Sequence, residues 1–214
     1  MERNQLNQLV GSIKNRIARS KAKYGSNKPF KAVDESGNQK VIWDGRNCAV
    51  SGFIYAIVND KLSVLANLRG PGTPDYQGCW NAPCGFLERF ETSVEGIQRE
   101  ILEECGFYIN KYDIEVKETE TDPAECNNGN VTIRHTAYLG KIDPMYVNME
   151  GGEKDEVESV KWIPLEDINE YKWAFNHKKT IMKYAPKRWT WKFIEFFNNH
   201  ILGYNIDYTK GISW

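Results

Sequence analysis

Cysteine is scarce and unpatterned in this chain: Cys48, Cys79, Cys84, Cys105 and Cys126 are odd in number and form no C-x-x-C pair. Reduced thiols of a cytoplasmic protein are expected, rather than a disulfide framework or a structural zinc site. Long apolar runs are also missing. The longest near-apolar stretch, 49–58, is too short to span a bilayer, and the start, MERNQLNQLVGS, lacks the apolar core of a signal peptide. Charge bias is absent, since 28 basic residues against 29 acidic ones leave a formal charge of −1. That gives no global push toward nucleic acid or membrane. No internal repeat or low-complexity tract is present. A chain of 214 residues accommodates one well-buried core with extensions, not a second full domain.

What the chain does have is concentrated in residues 85–107, GFLERFETSVEGIQREILEECGF. Thr92 and Glu95 form a T-x-x-E capping box, which predicts a helix over about 93–105 ended by Gly106. Val94, Ile97, Ile101 and Cys105 fall on one helical stripe facing a core. Glu100, Glu103 and Glu104 form a second stripe beside it, where a cleft wall would lie. Three carboxylates at this spacing repel one another, and a magnesium ion suits them because it takes a few carboxylates together with water and phosphate oxygens. Taken alone, the three also fit an ordinary solvated glutamate face.

The spacing decides between these readings. Gly85, five residues, Glu91, seven residues, Arg99-Glu100-Ile101, one residue, Glu103-Glu104, one residue, Gly106-Phe107 resembles the signature of the Nudix hydrolases at every specified position. At average amino-acid usage such a match arises by accident in on the order of 10⁻⁷ of chains this long. The resemblance implies that Glu91 and Arg99 pair to hold the loop against the helix. It also implies that Glu100, Glu103 and Glu104 hold one or more Mg²⁺ or Mn²⁺ ions. Two positions depart from the family's usual pattern. Gly96 stands where alanine is common, at a cost of about 1 kcal/mol of helix propensity, and Cys84 replaces the first glycine of a Pro-Gly-Gly entry.

Around this segment the chain divides into an N-terminal amphipathic helix and connector (1–40), a catalytic domain (41–185) and an aromatic-rich C-terminal extension (186–214). In the first, Leu6, Leu9, Val10, Ile13 and Ile17 oppose Lys14, Arg16, Arg19, Lys21 and Lys23. This helix either packs on the catalytic domain or serves as a basic arm for nucleic acid or a partner. Residues 24–40 are punctuated by glycine and proline and read as a connector. The domain opens with a hairpin, Cys48–Val58 and Leu62–Leu68, turned at Asn59-Asp60. Arg69 follows, either directed at substrate phosphate or exposed in a loop, and Trp80 packs or stacks on ligand.

After the helix come strands at about 114–121 and 131–139. In the second, Val131, Ile133, His135, Ala137 and Leu139 share one face; Arg134 lies on the other, in the cleft or in solvent. His135 reads as a core histidine or a catalytic one. The family resemblance further suggests a closing strand at Val157–Pro164, preceded by an acidic loop with Glu150, Glu153, Glu156 and Glu158. One of these would join the metal site or act as base: Glu156 ahead of Glu153, with Glu103 the other candidate base. One or two helices over 165–185 include Phe175-Asn176-His177, which resembles a turn in some Nudix proteins. The extension is dense in aromatics, including Trp189, Trp191, Phe193, Phe196 and Phe197. It packs on the N-terminal helix, forms a homodimer interface or walls the pocket.

The fold implied is α/β: a Nudix-type α/β/α sandwich around a mixed sheet, with helical N- and C-terminal extensions. The activity implied is hydrolysis of a diphosphate linkage in a nucleoside diphosphate joined to another moiety, such as ADP-ribose, a dinucleotide, a nucleotide sugar or a nucleoside triphosphate. Glu103, Glu156, Glu91 and Arg99 would carry catalysis, and Arg69, Gly85 and Arg134 would bind substrate. Two alternatives use the same residues. One is a nucleotide-sensing binding module acting through the basic N-terminal helix; the other is an RNA-end pyrophosphatase, whose RNA binding would depend steeply on salt.

Overall fold

The structure, a computed structural model, describes residues 15, 29–33, 35–43, 45–121, 130–142 and 155–187. The helix expected over 3–23, apart from Asn15, lies outside these residues. So do Glu150, Glu153 and the aromatic extension beyond 187.

An antiparallel hairpin comes first, β1 (Pro29–Val33) paired with β2 (Gln39–Trp43). It lies largely within the stretch read as a connector and forms a two-stranded sheet of its own. Gly37, at φ 83°, marks the turn between the two strands, and the expected domain boundary at 41 runs through β2. The main sheet begins with β3 (Cys48–Val58) and β4 (Lys61–Arg69). They are joined by Asn59 and Asp60 at φ 51° and 61°, a pair of left-handed residues that suits a two-residue hairpin. Two short strands, β5 (Trp80–Asn81) and β6 (Cys84–Phe86), interrupt what reads in sequence as a single loop. Next come the helix α1 (Ser93–Cys105), then β7 (Glu115–Glu120), β8 (Val131–Lys141), β9 (Val157–Pro164), a 3-10 turn (Leu165–Glu170) and the short helix α2 (His177–Tyr184).

The seven strands of the main sheet run β5-β4-β3-β8-β7, with β6 on β3 and β9 on β4. The β3–β8 pair is parallel and the other pairs are antiparallel, so the sheet is mixed. Each face carries its own core. Val50, Ile54, Ala56 and Val58 of β3 meet Ile97, Ile101 and Cys105 of α1, together with Ala137 and Leu139 of β8. Phe53 and Tyr55 point the other way, to Ile168 and Ile181. Helix, sheet and helix therefore form the three layers expected. Among the described residues no helix is long and apolar enough to cross a membrane.

Close approach fixes α1 against the sheet. A Cβ on Gly52 would stand 2.8 Å from Ile97 Cγ1, so only glycine lets α1 sit this near to β3. The helix start is tied to the same place through His135, which is fully buried. Its Nδ1 faces Ser51 O at 3.3 Å and its Nε2 faces Ser93 Oγ at 3.1 Å. This settles His135 as a hydrogen-bonded core residue. Trp80 likewise packs, edge-on to Tyr171.

Candidate active site

The β3–β4 pairing covers only Tyr55–Val58 against Lys61–Val64. Beyond it β3 turns to β6 and β4 to β5. A cleft of about 490 Å³ opens here. From the expected site it is lined by Arg69, Gly85, Arg99, Glu100, Glu103, Glu104, Arg134 and Glu156. Glu91 is not among the lining residues.

Glu91 acts one step behind the cleft. The helix begins as the sequence indicates, with Thr92 accepting from Glu95 N and the Glu95 carboxylate accepting from Thr92 N; it ends at Gly106, at φ 62°. Across the first turns, Arg99 forms a two-pronged pair with Glu91, Nε to Oε2 at 3.1 Å and Nη2 to Oε1 at 2.8 Å. Arg99 Nη2 also donates to Phe86 O at 3.0 Å, and Glu91 accepts from Glu88 N at 2.8 Å, so the pair draws the loop onto the helix. The Arg99 guanidinium holds the Glu91 carboxyl below its usual range. Gly96 belongs to this clamp. A Cβ there would stand 2.9 Å from both Glu91 Oε1 and Leu87 Cδ1, so the glycine that weakens the helix also makes room for the loop lying over it.

The three glutamates on the cleft wall have different surroundings. Glu100 is only 9% exposed and accepts from Arg99 Nη1 at 2.8 Å. Its carboxylate occupies the place of a Gly85 side chain: a Cβ on Gly85 would be 2.2 Å from Glu100 Oε1. Glu104 Oε2 accepts from Cys84 N at 3.0 Å and Asn67 Nδ2 at 2.8 Å. Burial, then the neighbouring Glu100 charge, pushes Glu104 up to about 8. Burial also raises Glu100, against the pull of Arg99. Glu103, half-exposed, accepts from Arg99 Nη1 at 2.8 Å. The Cys84 thiol is raised by burial and by Glu104, which keeps it protonated.

This donor set fits a hard divalent cation, being made of carboxylate oxygens whose negative charge is poorly solvated. Among the described residues no three His, Cys, Asp or Glu side chains are already gathered as a metal cluster. The reason is visible in the hydrogen bonds. Arg99 draws Glu100 and Glu103 together, while Glu104 turns toward Asn67 and β6.

Across the cleft, Arg69 is largely buried, not exposed in a loop. It donates to Asp75 Oδ1 at 2.7 Å and lies 5.1 Å from the Phe175 ring centroid. Arg134 is 8% exposed and pairs with Glu118 at 2.7 Å and Glu120 at 3.7 Å. Glu156, on an exposed turn, is held by its backbone, its carbonyl accepting from Gly70 N at 2.7 Å.

Sequence reasoning missed Ser51, Asn67 and Thr180 as lining residues and marked His177 only as part of a turn; all four line the cleft. Ser51 and Asn67 carried a readable signal, since each is a polar residue interrupting an otherwise apolar buried strand. Thr180 carried none.

A NUDIX domain family model matches residues 50–184. No curated protein matches the chain. Among solved structures, a MutT/nudix family protein from Enterococcus faecalis is similar at 22% identity and a TM-score of 0.54, over 66% of this chain and 61% of that one. The NUDIX domain of Shewanella oneidensis NrtR, complexed with ADP ribose, is similar at 21% identity and a TM-score of 0.55, over 78% of this chain and 94% of that one. The chain thus spans less than two thirds of the first protein and nearly all of the second domain. At these identities the likeness is one of fold.

Proposed function

Because the chain belongs to the Nudix family, whose domain model covers more than half of it, we propose that it hydrolyses the diphosphate linkage of a nucleoside diphosphate joined to a second moiety. The observation that carries this reading is one cleft with Glu100, Glu103 and Glu104 on one wall and Arg69 and Arg134 on the others. Nudix hydrolases generally use divalent cations, and here Glu100, Glu103 and Glu104 would hold Mg²⁺ or Mn²⁺. When bound, such a cation neutralises phosphate oxygens and acidifies a water for attack on phosphorus. Arg99 orients Glu100 and Glu103, and Gly85 leaves room for the Glu100 carboxylate. Arg69 and Arg134 supply donors toward phosphate oxygens. Glu156 takes the proton of the attacking water, with Glu103 the alternative base. The substrate is a small nucleotide, and the unpatterned cysteines favour a cytoplasmic setting.

Activity should be measured with Mg²⁺ and Mn²⁺ against a panel of nucleoside diphosphate derivatives by coupled phosphate release, with Glu103→Gln as control. Glu103 is half-exposed, so the variant should fold like the parent and lose most turnover. Near-parental turnover would remove Glu103 from the site. Tight nucleotide binding with no turnover across the panel would favour the nucleotide-sensing module instead.

A further inference from the structure

The α2 side of the cleft has a chemistry of its own. Ser51 is 1% exposed, and its Oγ is buried with no hydrogen-bond partner among the described residues. Its register neighbour on β8 is Arg134, and both line the cleft. His177 lines it too, and its Nδ1 accepts from Ala82 N at 3.1 Å. A backbone N–H can only donate, so Nδ1 is bare and the neutral ring carries its proton on Nε2. Burial, then the charges of Arg134 and Arg69, keeps the ring neutral, with its pKa lowered to about 3. Nε2–H has no partner among the described residues, which leaves a donor of fixed identity at the cleft wall.

The cations nearby are already matched by acids. Arg134 is held by Glu118 and Glu120, Lys183 by Glu118 at 2.7 Å, and Arg69 by Asp75. Arg69 and Arg134, assigned above to the diphosphate, are each also paired with a carboxylate, so this side holds no surplus positive charge for a further phosphate. A neutral hydroxyl-bearing ring needs none; it can accept from Nε2–H and exchange hydrogen bonds with Ser51 Oγ.

We propose that the α2 side of the cleft is a sugar-hydroxyl subsite, with His177 Nε2–H as donor and Ser51 Oγ as donor or acceptor to a sugar ring of the substrate. The ring is either the ribose of the nucleoside or a second sugar beyond the diphosphate. This deepens the hydrolase reading and rests on it only in taking the same cleft as the substrate site.

The test compares the parent, His177→Asn and Ser51→Ala. Asparagine keeps an acceptor near Nδ1 for Ala82 N–H while removing Nε2–H. Steady-state kinetics would use ADP-ribose, its analogue with a 2′,3′-dideoxy nucleoside half, and ADP esterified to a plain alkyl group. With ADP-ribose, KM should rise about tenfold in His177→Asn. The substitution should have no effect on the analogue that lacks the recognised hydroxyls, and that analogue identifies which sugar is bound. Equal loss on all three substrates, or none, overturns the subsite. Ser51→Ala should weaken binding of hydroxylated ligands while raising the melting temperature, because it removes an unpartnered buried hydroxyl; a lowered melting temperature overturns its part.

Equilibrium titrations in EDTA separate this from the hydrolase reading. The pairs are AMP against 2′,3′-dideoxy-AMP, and ribose 5-phosphate against methyl phosphate. His177-dependent preference for the hydroxylated member of either pair upholds the subsite even if nothing is turned over. Turnover with no such preference overturns it and leaves the hydrolase reading intact.

Discussion

Gly85→Ala isolates the placement of one carboxylate. Gly85 does not occupy the left-handed region, so its backbone accepts alanine. The obstacle is the Glu100 side chain, whose Oε1, Cδ and Oε2 would lie 2.2, 2.3 and 2.5 Å from the new Cβ. Those separations fall at least about 1 Å short of van der Waals contact. The carboxylate is the free end of a side chain, so it can retreat without moving the backbone. It then loses its bond from Arg99 Nη1, while Arg99 keeps Glu91 and Glu103. The stability cost should be about 1 kcal/mol, or about 2 to 4 °C in melting temperature. The catalytic cost should be much larger: a displacement of about 1 Å in a positioned group costs about 10²-fold in rate. Calorimetry would measure the first, kcat/KM with Mg²⁺ the second, and electron paramagnetic resonance of free Mn²⁺ the expected loss of metal affinity. A folded variant retaining kcat/KM within about twofold of the parent would refute the assignment of Glu100 to the reacting centre.

The two buried histidines should take stability away as pH falls below 6.5, while Glu104 and Glu100, whose carboxyls are raised by burial, act in the opposite direction. Burial lowers His135 and His177 from 6.5, the latter to about 3, so the unfolded chain takes protons that the folded chain refuses. Their stabilising contribution is complete above 6.5 and is lost as pH falls toward 3; His177→Asn should lower the slope by at most about 1.4 kcal/mol per pH unit in urea titrations, and an unchanged slope would contradict the burial reading. Gly96→Ala should not deliver the roughly 1 kcal/mol that alanine usually gives a helix, because its Cβ meets the Glu91–Leu87 clamp. A melting temperature raised by about 2 to 4 °C would show that the clamp yields. Gly70→Ala should lower both melting temperature and kcat, since its Cβ would lie 2.5 Å from Asp155 O, a backbone atom that no rotamer change can move; a variant that melts and turns over like the parent would disprove the coupling.

The central helix was legible because every signal that makes it is local. The Thr92–Glu95 box, the Ile97–Ile101–Cys105 stripe and Gly106 lie within one segment, and the observed helix has the expected ends. Strands β3, β8 and β9 were legible for the same reason, through alternation or continuous apolarity. The β1–β2 hairpin was not. Its strands are five residues each, and the turn chemistry between them reads equally well as a connector. The α2 side of the cleft was hidden for another reason. Ser51 and His177 line one cleft because β3 packs against α2, with Phe53 edge-on to His177 at 5.6 Å between ring centroids. That contact joins residues more than a hundred positions apart, and neither residue carries a spacing that announces the other.

The two loops that bear on substrate and base read in sequence as separate features, and the structure makes them one. Gly70 N donates to Glu156 O and Gly72 N to Asp155 O, both at 2.7 Å, and a Cβ on Gly72 would lie 2.8 Å from Asp155 O. The loop leaving Arg69 therefore lies flush against the turn carrying Glu156, at a distance that only glycine permits at both positions. Arg69 is fixed in turn by Asp75 from the same loop. A carboxylate on an exposed turn would ordinarily sample many positions. Here its backbone is pinned to the strand end that presents the arginine, so Glu156 and Arg69 keep a constant relation while the Glu156 side chain stays free to reach into the cleft. For the proposed reaction this favours Glu156 as the proton acceptor: it lines the cleft, whereas Glu158, the other glutamate of the acidic loop among the described residues, does not.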